Sequence, residues 1–194
     1  MRAPNRLSNL RSHTAVLAAA AGIGLVLAAG SAHAQGASGS SAMSSGSSSS
    51  SLSQTDQQYF QKDAQGSVYD LTLAQLGILR GATPRVRSYA RMVATDHARL
   101  NIMMLEFANR EGMHDLPLTL SSDDNTRLQR LMGLSGAEFD RAFAEEEVRI
   151  NSQDVSDAEK ELQATNAPGV RRIVQEFRQT ESKHLAGARE LQGR

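Results

Sequence analysis

Apolar residues recur along this chain with a helical period. Between Thr55 and Arg80, the residues Phe60, Ala64, Ser67, Leu71, Ala74 and Ile78 follow at steps of 4, 3, 4, 3 and 4. That spacing puts them on one face of an α-helix. Between Pro84 and Glu111, a second face forms from Val86, Ala90, Val93, His97, Leu100, Met104 and Phe107. The intervening Gly81-Ala82-Thr83-Pro84 combines a helix-stopping glycine with a proline suited to a first helical turn. A third long helix is predicted from Gly136 to about Thr165, anchored by Phe139, Phe143 and Ile150. It is unusually polar, with Asp140, Glu147, Asn151 and Asp154 on one narrow face. Asn166-Ala167-Pro168-Gly169 reads as a turn. A fourth helix runs to Leu191 along Val170, Ile173, Phe177, Thr180, His184, Ala188 and Leu191.

The stretch from Gly112 to Gly136 holds Pro117 and one short periodic piece, Thr126–Leu134, which predicts a small helix. Four long helices, two tight turns and one long middle connection predict an all-α fold. The architecture expected is a ferritin-like four-helix bundle whose second and third long helices are joined by that crossover.

Two histidines interrupt the apolar faces. His97 and His184 occupy inner positions on different helices, and imidazole is a common metal ligand in bundle cores. At a rise of about 1.5 Å per residue, the first hairpin brings Asp70 to nearly the level of His97, and the second brings Glu147 to the level of His184. Glu181-Ser182-Lys183-His184 is a Glu-x-x-His pair, with both groups on one helical face. A dinuclear carboxylate site needs a second such pair, and Ala94 stands where its glutamate belongs. The metal-site candidates are therefore Asp70, His97, Glu147, Glu181 and His184, suited to a single divalent zinc, iron or manganese ion. The competing reading is structural: Asp70 lies on the flank of its helix, Glu181 pairs with Lys183 or Arg178 at the surface, and the histidines fix helix register. Convergence of the two imidazoles within about 6 Å would favour metal, because ligands to one ion at about 2 Å lie close together.

Composition narrows the rest. Arg2, Arg6 and Arg11, the apolar run Ala15–Ala29 and Ala32-His33-Ala34 have the pattern of an export signal cleaved after Ala34. Residues 35–53 form a Ser/Gly-rich linker in which eleven of 19 positions are serine, too polar to order on its own. The bundle domain is expected over 54–194. Without the three signal arginines the chain carries 18 basic against 21 acidic residues. That balance gives no support to nucleic-acid binding, and no membrane span is expected once the signal is removed. The absence of cysteine excludes disulfides, thiol catalysis and thiolate metal sites. There is no phosphate-cradling glycine loop, nucleophile elbow or His-Glu-x-x-His. Met103 and Met104 are adjacent and cannot face one site together, so the methionines read as core filling rather than copper or haem ligands.

Two stretches, VRSYARMVATDHARLN (Val86–Asn101) and LSGAEFDRAFAEEEV (Leu134–Val148), together with the late His184-Leu185, resemble the motifs of an exported bacterial family. That family is called domain of unknown function 4142 (DUF4142). The resemblance spans about Ser53 to Leu191 and implies a ferritin-like fold and an exported location. The family's first-helix glutamate falls on Asp70, its Asp-His pair on Asp96 and His97, its Phe-Asp pair on Phe139 and Asp140, and its last histidine on His184. A further family histidine is replaced here by Asn151, which removes a ligand. The family has no established reaction to transfer.

These readings lead to a periplasmic or secreted, non-enzymatic envelope protein, with a stress-related role among the expectations, that acts by binding or interaction. The alternative is a metal-binding or redox bundle. A homo-oligomer or an envelope partner is a third reading, favoured if Leu128, Leu131 and Leu134 form an exposed apolar face. Intact-mass measurement of the exported chain is expected to give Gln35 as its first residue; a product retaining the apolar run would overturn the cleavage assignment.

Overall fold

The computed structural model describes residues 52–193. The expected export signal and most of the linker lie outside them. The described chain forms five helices: α1 (Gln54–Arg80), α2 (Pro84–Arg110), α3 (Ser122–Met132), α4 (Gly136–Ala164) and α5 (Pro168–Gln192). Among the described residues no helix is long and apolar enough to cross a membrane.

Helix ends follow local chemistry. Ser53 caps α1 in a reciprocal capping box with Asp56, satisfying N–H groups at the helix start. Leu52 is buried in the apolar core beside Phe60 and Phe107. The last two linker residues thus belong to the fold. Thr83 caps α2 ahead of Pro84 at its first turn. The Asp140 carboxylate, reaching from α4, accepts from the backbone N–H groups of Ala82 (2.7 Å) and Thr83 (2.9 Å). The Arg80 guanidinium donates to the Leu134 carbonyl at 2.6 Å. These bonds set the start of α4 beside the α1–α2 turn. The chain leaving α2 at the opposite end must therefore travel the length of the bundle before α4 begins. α1 and α2 form one hairpin and α4 and α5 the other, with α1 against α4 and α2 against α5. The run is up, down, down, up, as in ferritin-like folds.

α3 rides on this crossover and packs against α1 and α4. Its Leu128 and Leu131 are buried among Tyr69 and Phe139, and Leu134 is half-buried against the same cluster. Leu128, Leu131 and Leu134 form no exposed face, so the feature that would favour a docking partner there is not met: the amphipathic stripe of α3 serves the bundle.

The core is divided. One apolar half gathers Leu73, Val86, Val93, Phe139 and Phe143 near the α1–α2 turn. The other gathers Phe60, Leu100, Met104, Val170, Ile173 and Phe177 towards the opposite end. Between them lie the buried polar residues Ser67 and Asp70 of α1, His97 of α2, Glu147 and Asn151 of α4, and Thr180, Glu181 and His184 of α5. The inner face of α1 also differs from the simple heptad-like series. Asp70, Leu73 and Gly77 are buried, whereas Leu71 and Ile78 are only half-buried. Gly77 explains the turn of this face. A Cβ there would lie 2.6 Å from the Phe143 ring and 2.8 Å from Ala90, so the missing side chain lets α4 close on α1.

The two α1 glycines should respond oppositely to alanine in urea unfolding. Gly66→Ala, whose Cβ meets nothing within 4 Å, is expected to stabilise by about 0.5–1 kcal/mol. Gly77→Ala is expected to destabilise by about 1–3 kcal/mol through overpacking. Equal effects would contradict the packing described.

Candidate metal centre

Each long helix contributes to the mid-height polar layer, as the hairpin levels require. Within it one donor atom each from His97, Glu181 and His184 lie within 4.8 Å of one another, and all three residues are buried. The Glu181 carboxylate sits between the imidazoles. Its Oε1 is 3.6 Å from His97 Nε2 and its Oε2 is 3.5 Å from His184 Nδ1. The two rings are 5.4 Å apart, inside the separation that favours a shared ion over two independent core ties.

The far side of each ring faces a carboxylate. Asp96 Oδ2 lies 3.0 Å from His184 Nε2 and also accepts from the Lys183 ammonium at 3.1 Å. Asp96 can accept from Nε2–H, while Nδ1 faces Glu181, so either ring nitrogen can carry a proton and both do in the imidazolium form. Asp70 Oδ2 stands 3.8 Å from His97 Nδ1. A histidine backed by a carboxylate is the usual arrangement around a bound metal, since the backing fixes the ring and raises its basicity. His97 Nδ1, Glu181 Oε2 and His184 Nδ1 have no hydrogen-bond partner within the protein. An unsatisfied buried polar atom costs about 1–3 kcal/mol.

All five residues expected from the sequence therefore lie in one layer, and three of them converge. Asp70 is buried rather than on a half-exposed flank, and it faces His97. Glu181 is buried and turned inward, away from the surface pairing that Lys183 or Arg178 would offer. Glu147 is fully buried but stands apart from the three. Its Oε2 accepts from the Tyr89 hydroxyl (3.1 Å) and the Asn151 amide (3.2 Å). Asn151, where a family histidine is expected, thus ties down Glu147.

Asp96, as the partner of His184, was not foreseen. The hairpin comparison tested α1 with α2 and α4 with α5, but Asp96 reaches across the α2–α5 interface. Asp63 was also missed, because it lies one turn from Ser67 on a stretch that reads as surface.

Burial and mutual repulsion shape the charges. Burial, then the charges of Asp154, Glu181, Glu147 and Asp63, push Asp70 well above the usual carboxylate range. Burial, reinforced by Glu181, pushes Asp63 up to about 8. Asp154 is likewise raised, by burial and then by Glu181 and Asp63. Burial raises Glu147 to about 7 against the opposing hydrogen bond from Tyr89. Burial depresses His97, keeping its imidazole neutral. Burial also acts to depress His184, but Glu181, Asp96 and Glu147 outweigh it and hold its pKa above the ordinary value. Without a cation, this layer takes up protons to limit its negative charge.

A cavity of about 210 Å³ runs between α1 and α4 and reaches His97 and Glu181. Asp63, Asp70, Asp154 and Asp157 line it, with Lys62 and Arg149 as the basic residues.

The fold and this layer define a ferritin-like helical bundle with a buried histidine–carboxylate cluster at mid-height. The chain belongs to the family described as Domain of unknown function (DUF4142), which matches residues 41–191. Among solved structures it is similar to a DUF305 fragment from Deinococcus radiodurans, with TM-score 0.66 and 18% identity, covering 73% of this chain and 97% of that one. It is also similar to a structure described as CopM in the Cu(II)-bound form, with TM-score 0.63 and 15% identity over the same shares. At these identities the likeness is one of fold. No curated protein matches the chain in sequence.

The raised carboxyls bind their protons more tightly folded than unfolded. Their contribution to stability is complete in acid and is lost as pH rises through about 7 for Glu147 and about 8 for Asp63. His97, with its lowered pKa, acts in the opposite sense below the ordinary imidazole range. Chelator-treated protein is therefore expected to lose thermal stability as pH rises from about 5 to about 8, and Glu147→Gln to lessen that loss. A flat profile in differential scanning calorimetry would contradict the charge arrangement.

Proposed function

We propose that this chain is an exported, non-enzymatic metal-binding bundle that holds one divalent transition-metal cation at His97, Glu181 and His184. The observation that carries the reading is the convergence of three buried donors within 4.8 Å, with unpartnered atoms among them. Ligands to one ion at about 2.0–2.2 Å lie within about 4 Å of each other. The observed spread needs only about 1 Å of side-chain adjustment to reach that.

In this reading Glu181 and the two imidazoles are the ligands. Asp96 holds His184 in the binding tautomer, and Asp70 stands ready to accept from His97 Nδ1. Glu147 adds negative charge from its Tyr89–Asn151 cradle. A bound ion would supply the positive charge that the carboxylates otherwise draw from protons. Nitrogen and oxygen donors without thiolate suit zinc, iron, manganese or Cu(II), and the imidazole pair disfavours magnesium and calcium. The fold likeness to CopM, described as Cu(II)-bound, supports including copper, and Cu(II) heads the affinity order for such donors.

Binding is favoured over turnover by the space available. The cavity of about 210 Å³ is below the ~300–1,000 Å³ usual for small-molecule sites. Export is supported by the arginine-flanked apolar run and Ala32-His33-Ala34. An envelope metal binder on a flexible tether is the function these features describe together.

Isothermal titration of untagged protein with Zn²⁺ and Cu²⁺ tests this. One ion per chain is expected, with protons released and affinity falling as pH is lowered. His184→Ala should abolish binding, and Asp96→Asn should weaken it about 10–100-fold. Absence of both heat and thermal shift with zinc, copper, iron and manganese would refute the site.

A further inference from the structure

The cluster is buried between two apolar core halves, so a cation must reach it through the protein. Two routes exist in principle: separation of the helices, or passage along the cavity between α1 and α4. The cavity connects with the site itself, since His97 and Glu181 line it and are each only 4% exposed. His97 Nδ1 and Glu181 Oε2 have no hydrogen-bond partner, and Asp63, farther out along the same cavity, also presents an unpartnered buried oxygen, Oδ2. Asp154 lines the opposite, α4 wall. At the cavity lie Lys62, whose side chain is 63% exposed, and Asp157, paired with each other.

One backbone feature agrees with a passage. Gly66 lies in the interior of α1 and lines the cavity. Glycine there costs about 0.5–1 kcal/mol relative to alanine. It has no packing reason of the Gly77 kind, because an added Cβ would meet nothing within 4 Å. What it leaves is clearance on the cavity wall.

We propose that this cavity is the loading passage for a divalent cation, with Asp63 and Asp154 as transient oxygen ligands between solvent and the His97–Glu181–His184 site. This rests on the metal-binding reading and adds the route. A cation exchanges its water for carboxylate oxygen at Asp63 and Asp154, then for Glu181 and the imidazoles deeper in. Above about pH 8, where Asp63 gives up its proton, the carboxylate walls concentrate cations and speed their arrival, an effect that salt screens; the loading test is run at this pH to read it. Lys62 opposes arrival to the extent that Asp157 does not neutralise it.

The test is stopped-flow loading of Co²⁺ into the metal-free full chain, followed by its ligand-field absorption. Asp63→Asn with Asp154→Asn is expected to slow loading on the order of ten-fold at low salt, and less at high salt. The final stoichiometry should stay at one ion. Lys62→Ala should speed loading. Gly66→Phe should slow it, with unchanged circular dichroism showing that the fold is kept. Gly66→Ala separates the two routes: it should leave the loading rate unaltered while stabilising the fold.

Normal binding with rates indifferent to these charges would overturn the passage while leaving the site intact. Slower loading of Gly66→Ala, in step with its added stability, would assign loading to helix separation instead. A second ion lost specifically in the Asp63/Asp154 variant would make these residues a resident site rather than a passage. A wild-type chain that takes up no Co²⁺, Zn²⁺ or Cu²⁺ at all would overturn the site and the passage together.

Discussion

Ionisable groups buried inside a helical bundle must be matched by opposite charge, by protons or by a bound cation, because the interior solvates them poorly. This bundle places Asp70, His97, Glu147, Glu181 and His184 in one buried layer. That layer conditions the rest of the structure. It divides the apolar core into two halves, each built from aromatic and branched residues of all four long helices. The order of the elements is set at the bundle end. The Asp140 carboxylate locks the α1–α2 turn to the start of α4, and the full-length crossover keeps α4 parallel to α2. With that topology, all four helices present side chains at one level.

A polar tie that only fixes register should be satisfied by its neighbours. At His184 and Glu147 the outer atom is satisfied and an inner one is not; at His97 the nitrogen without a hydrogen-bond partner is Nδ1, which faces Asp70. Asp96 meets His184 Nε2, and Tyr89 and Asn151 meet Glu147 Oε2, while His184 Nδ1, Glu181 Oε2 and Glu147 Oε1 are left without partners. On the metal-binding reading, Asp96 holds His184 from behind and the Nδ1 of that ring faces the ion. On the same reading, the ion's charge offsets the surplus of raised carboxyls.

Much of the fold was legible in the sequence because helical periodicity and turn chemistry agreed. The Gly81–Pro84 and Asn166–Gly169 turns, and the faces carrying His97 and His184, each mark an element whose level can be counted in residues. Those counts brought Asp70 to the level of His97 and Glu147 to that of His184, and the i, i+3 spacing set Glu181 beside His184. They failed where geometry depends on packing between non-sequential helices. The inward turn of Asp70 follows from Gly77 admitting Phe143, a steric fact that periodicity does not encode. The Asp96–His184 contact joins α2 to α5, which are not sequential neighbours. Whether the leucines of α3 are exposed could not be read locally, because their cover comes from α1 and α4, remote in sequence.

The central claim is that the three convergent side chains hold one ion. Anomalous diffraction from crystals of untagged protein loaded with Zn²⁺ or Cu²⁺ tests it most directly. The account predicts one strong peak about 2.0–2.2 Å from a nitrogen of His97, a nitrogen of His184 and an oxygen of Glu181. Anomalous density confined to surface histidines such as His114, with the layer unchanged and unlit, would contradict it.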